Sequence, residues 1–186
     1  MTSRLLPTTI FRAHWKGLSD YRDKEVHPDY ITRILLVGIP LVAGGLFWGL
    51  GGCLSVPTVL LAGVSLLAGA FLGAFGHIAT LRSRLADRED DYPDAERIDR
   101  DSLDETAAHL LVASYMSALT AFVLVLGMNL SLNAQGALVG FWGGLAVALA
   151  LYVLLVFMIA LPRLYNSYAN INKVRDALSG THKGRG

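Results

Sequence analysis

Apolar residues run unbroken through two long stretches of this chain. Residues 34–81 and 110–162 contain no Asp, Glu, Lys or Arg. Each stretch is more than twice the ~20 residues that a helix needs to cross a bilayer. The runs are continuous instead of alternating, which excludes the pattern of a membrane barrel and leaves helices, whose backbone polar groups are satisfied within the segment. Gly51, Gly52, Ser55 and Pro57 break the first stretch, and Asn129, Ser131, Asn133, Gln135 and Gly136 break the second. Four spans are predicted, at 31–51, 57–80, 107–129 and 137–161, arranged as two transmembrane hairpins over 31–80 and 107–161. The expected fold class is an all-α integral membrane protein.

Three polar segments surround the spans. In the N-terminal arm, residues 1–30, the segment 9–19 brings Phe11, Trp15 and Leu18 onto one helical face with Arg12 and Lys16 on its flanks. That is the pattern of a helix lying in the headgroup region, with Tyr30 as a further membrane-interface residue. Packing of the same helix on the rest of the cytoplasmic structure is the competing reading. Pro28 and Asp29 suit the first turn of the next helix. The middle segment 81–106 is acidic and is expected to be a helical hairpin. Residues 82–90 extend the second span, Asp91-Tyr92-Pro93-Asp94 forms a turn, and Pro93 opens the next helix. In the tail, 162–186, Leu164, Ile171 and Leu178 recur every seven residues, which predicts an amphipathic helix, followed over 179–186 by a disordered basic end.

Charge adds a direction. The chain is 53% hydrophobic and 17% charged, whereas a water-soluble domain carries about a quarter charged residues. An ordinary soluble domain is excluded, and with Cys53 as the only cysteine so is a disulfide scaffold. Six Lys or Arg lie in residues 1–33, five in 82–106 and five in 162–186, which accounts for all 16. The turns around 51–56 and 130–136 hold none. The positive-inside rule places both termini and the middle segment in the cytoplasm. The first span, reached only after 30 mixed residues, is expected to act as an uncleaved signal anchor. Twelve Arg against four Lys, with abundant Ala, Gly and Leu, suggests a high-GC bacterial genome and hence a multi-pass protein of the plasma membrane.

Small residues at four-residue spacing mark faces where helices in lipid can approach closely. Gly45 and Gly49 do so in the first span, Gly69 and Gly73 in the second, Ala113 and Ser117 in the third, and Gly140 and Gly144 in the fourth. They serve packing within one bundle or self-association into a homo-oligomer. Pro40 removes a backbone hydrogen bond inside the first span and predicts a kink. Ile78-Ala79-x-x-Arg82 and Ile159-Ala160-x-x-Arg163 close the second and fourth spans alike.

Candidate chemistry is sparse. His77 and His109 are expected at similar depth near the inner ends of adjacent spans, with Glu105 one turn before His109. A His–His–carboxylate set could ligate a transition metal. Interfacial histidines bonded to backbone or water are the reading adopted, so no metal or cofactor is assigned. The acidic middle segment lacks the ligand spacing of an EF-hand. No charge lies at mid-membrane depth, which argues against a charge-coupled pump, and no phosphate loop or nucleophile elbow is present. The expectation is a non-enzymatic membrane subunit that self-associates and recruits a soluble cytoplasmic partner, with the lipid bilayer as its other contact and no nucleic acid. The alternatives are a channel or permeability-altering effector, as in phage defence or a toxin system, and a small-solute transporter.

Overall fold

The computed structural model describes residues 7–20, 27–86 and 95–171. It is almost entirely helical: α1 (Thr8–Gly17), α2 (Tyr30–Gly49), α3 (Pro57–Ala86), α4 (Ala95–Leu130) and α5 (Gly140–Ile171). The last four are each long and apolar enough to cross a membrane. The expected turn at Asp91-Tyr92-Pro93-Asp94 and the tail beyond residue 171 lie outside the described residues.

Local sequence sets the ends of these helices. Asp29 caps α2: its carboxylate accepts from the backbone N–H of Thr32 at 3.0 Å and from the Thr32 hydroxyl. These hydrogen bonds hold the Asp29 carboxyl below its ordinary pKa, because they favour the charged form. Gly51, at φ +71°, follows α2, and the Gly52 N–H donates to the Phe47 carbonyl at 2.7 Å. Before α5, Asn133 Oδ1 accepts from the N–H groups of Gln135 and Ala137 at 3.1 and 2.8 Å. This is the local side-chain bonding for which Asn favours turns.

Two short ladders tie these connections together. β3 (Cys53–Leu54) pairs antiparallel with β4 (Leu138–Val139), Cys53 opposite Val139. Both polar breaks of the spans therefore sit at the same end of the bundle. β1 (Ser19–Asp20) pairs with β2 (His27–Pro28), and the Asp29 N–H donates to the Leu18 carbonyl at 3.2 Å. The chain thus folds back after α1, leaving Leu18 beside the first turn of α2.

The packing order departs from two self-contained hairpins. α4 and α5 pack along each other as expected, but α2 and α3, consecutive in the chain, do not. α2 packs on α5, and α3 on α4. Glycine explains the choice for α2. A Cβ at Gly44 would stand 2.5 Å from the Gly144 carbonyl oxygen and 2.7 Å from Ala148 Cβ, while one at Gly144 would stand 2.6 Å from the Gly44 oxygen. Only two glycines permit this backbone approach, the main source of helix association in lipid. α4 is the most buried of the four long apolar helices, with Leu110, Val112, Ala113 and Leu124 in its core. The Ser114 hydroxyl donates to the Ala68 carbonyl at 2.9 Å and joins α4 to α3.

The small-residue positions divide between the inside and the outside of the bundle. Of the proposed packing positions, Ala113, Ser117 and Gly144 are buried, but Gly45, Gly49, Gly69 and Gly73 face outward, and among the described residues no neighbouring helix comes within 4 Å of the place where a Cβ on any of them would stand, so within this chain these four make no helix contact. The glycine of α2 that packs is Gly44, one position earlier. Gly140 serves a different purpose, opening α5 at φ +68°. α2 runs as one helix through buried Pro40. α5 likewise continues through Pro162 to Ile171, so the start of the tail is not a separate helix.

Candidate functional site

Buried polar groups gather where α1 meets α4 and α5, at the end of the bundle opposite the β3–β4 ladder. α1 presents His14, Gly17 and Leu18 inward. A Cβ on Gly17 would lie 3.3 Å from His109 Cε1 and 3.4 Å from Glu105 Cγ, so glycine lets the end of α1 sit against α4. Further along, Phe11 meets Tyr115 edge-on, ring centroids 5.7 Å apart.

At the centre, the Nδ1 atoms of His14 and His109 are 2.7 Å apart, with the rings nearly perpendicular. Both side chains are 0–1% exposed. At this distance one Nδ1 carries a proton and the other accepts it, so each imidazole is held in a complementary tautomer. Tyr152 of α5 adds a third member, its hydroxyl 3.3 Å from His14 Nε2. His109 Nε2, at the far end of this chain, is buried and has no hydrogen-bond partner among the described residues. Burial first, and then the Arg163 guanidinium, push the His14 pKa from 6.5 down to about 4.

Two ion pairs lie along the same stretch of α4. Arg163 of α5 pairs with Glu105, and Arg82 of α3 pairs with Asp104, Nε to Oδ1 3.2 Å. The two arginines are those of the matching Ile-Ala-x-x-Arg sequences, and they grip neighbouring acidic residues of α4 from either side. The first pair is half-buried and the second is exposed, so the second contributes little. On the outer side of α1, the Arg33 guanidinium of α2 donates to the Trp15 carbonyl at 2.7 Å and lies 5.4 Å from the Trp15 ring centroid.

The expected site is thus partly reassembled. Glu105 and His109 lie together, but His77 is exposed on α3 and the second histidine is His14. Two ligands on a tetrahedral zinc, each at about 2.0–2.1 Å, stand well over 3 Å apart; an Nδ1–Nδ1 separation of 2.7 Å is a hydrogen bond. Among the described residues no three His, Cys, Asp or Glu side chains are grouped to hold a metal. The interface residues also divide. Trp15 and Tyr30 are exposed and Phe11 is half-buried, whereas Leu18 belongs to the core. The sequence did carry a signal for this: Phe11, His14 and Leu18 share a helical face as well as Phe11, Trp15 and Leu18 do. The arrangement can hold a single proton between α1 and the bundle and can latch α1 in place. No family model, curated protein or solved structure matches the chain.

Proposed function

We propose that the protein is a non-enzymatic, multi-pass subunit of a bacterial plasma membrane that self-associates and recruits a soluble partner at its cytoplasmic end. The observation that carries this reading is the one-sided placement of polar surface. α1, the two ion pairs and the extensions of α3 and α4 beyond their apolar lengths gather at one end, while the other end is closed by two short turns tied through β3 and β4. The positive-inside rule makes the polar end cytoplasmic. Turns this short offer little for recognition outside.

Self-association is supported by α3. It is the least buried of the four spans, and Gly69, Gly73 and Gly76 lie open along its outward face with nothing within 4 Å. Close backbone approach to a second copy is available there.

Crosslinking in native membranes, followed by purification, tests both parts. The reading expects oligomers that Gly73→Leu removes, and a soluble protein co-purifying in stoichiometric amount. Monomers alone, with no soluble companion, would end it. Dye leakage from vesicles holding the purified chain would instead favour the permeability-altering alternative.

A further inference from the structure

Between α1 and α2 the surface opens into a cleft of about 450 Å³ lined by Trp15, Tyr30, Arg33, Ile34, Val37 and Gly38. Its two ends are chemically different. At the level where α2 begins stand the Tyr30 ring and the Arg33 guanidinium, stacked against Trp15. Arg12 and Lys16, both exposed on α1, precede and follow Trp15 in the chain but are not part of the cleft's lining. Asp29, at the start of α2, is engaged in capping that helix. Deeper along the span the walls are Ile34 and Val37, and no atom lies within 4 Å of the place where a Cβ on Gly38 would stand. The cleft therefore runs from a cationic, aromatic mouth to an apolar floor, along the direction in which a lipid molecule lies in a membrane.

We propose that this cleft binds an anionic glycerophospholipid, with its phosphate at Arg12, Lys16 and Arg33 and one acyl chain along Ile34, Val37 and Gly38. Basic side chains near the surface attract anionic headgroups, and indole and phenol rings settle at headgroup depth. A soluble phosphate would meet the same cations but leave the apolar length unfilled. The site rests on the membrane placement of α2 and requires neither the partner nor the oligomer of the preceding reading. In this position the lipid bridges α1 to α2, on the side of α1 opposite the His14 latch.

Trp15 reports on the site once the other indoles are removed. The full chain carrying Trp48→Phe and Trp142→Phe is placed in phosphatidylcholine vesicles containing phosphatidylglycerol, with brominated chains on one lipid or the other. Brominated phosphatidylglycerol is expected to quench Trp15 with at least about tenfold preference over brominated phosphatidylcholine, the scale of two basic side chains acting on one headgroup. Arg12→Gln with Lys16→Gln lowers that preference several-fold, and Gly38→Leu, which fills the floor, brings it close to one. Equal quenching by the two lipids overturns the proposal. So does a preference that survives Gly38→Leu, or one that soluble glycerol phosphate abolishes. A chain that fails to float with the vesicles refutes the membrane reading itself; insertion with equal quenching refutes the lipid site alone.

Discussion

Acidification is expected to release α1 from the bundle, because the latch at His14 requires a neutral imidazole. Docked, His14 is buried against His109 of α4 and Tyr152 of α5, and burial first, then the charge of Arg163, lowers its pKa from 6.5 to about 4. Undocked and solvated, it returns to the ordinary value. The undocked state then takes up the proton first, so docking keeps its full strength above about pH 6.5 and weakens as pH falls towards about 4. Between about pH 7.5 and about pH 5 the linkage amounts to about 2 kcal/mol, or about thirtyfold in the docking equilibrium. Hydrogen exchange of the amides of residues 11–18, corrected for the intrinsic effect of pH, measures that equilibrium directly. The chain should lose about thirtyfold protection in α1 over this range while the centre of α4 keeps its own. His14→Gln should weaken docking at neutral pH and remove most of the pH dependence. Protection that is constant with pH, or a His14→Gln chain with the original slope, would rule out the proton linkage.

Other perturbations separate the contacts that hold the bundle from those that do not. Gly44→Ala forces a methyl to within 2.5 Å of the Gly144 oxygen and should cost about 1–3 kcal/mol of unfolding free energy in detergent, the range of overpacked cores; Gly45→Ala and Gly49→Ala should stay within about 0.5 kcal/mol. Gly17→Leu, driven against His109 and Glu105, should expose α1 to protease at neutral pH while leaving the spans folded. Arg163→Gln removes the half-buried partner of Glu105 and should cost about 1–3 kcal/mol; Arg82→Gln, from an exposed pair, should cost less than about 1 kcal/mol.

The long apolar blocks made the four main helices legible in the sequence, since their length and lack of charge leave few other structures in lipid. The caps were legible for the same local reason: Asp29 and the glycine and asparagine turns act within a few residues of themselves. Partner choice was not. Gly45 and Gly49 satisfy the small-residue spacing as well as Gly44 does, and only the approach of Gly144 and Ala148 from a helix far along the chain decides between them. His109 was found as a candidate, but His14 was hidden by the Trp15 beside it. The indole made the other face of α1 look like the apolar one. That a ring buried in the protein would be an imidazole, with Trp15 left outside, follows from Gly17 and from the histidine waiting on α4. The β3–β4 ladder was equally out of reach, because each partner is two residues long and carries no pairing signal of its own.

The proposed function requires the four apolar helices to cross a membrane with their charged end in the cytoplasm, and Cys53 lets that be measured. This sole cysteine is exposed in the turn at the end expected to face outward. A membrane-impermeant maleimide added to intact cells should label the chain at Cys53, whereas Asp104→Cys on a Cys53→Ser background should react only after the membrane is opened. Labelling of Asp104→Cys in intact cells, with Cys53 protected, would reverse the orientation and remove the cytoplasmic surface on which the proposed function stands.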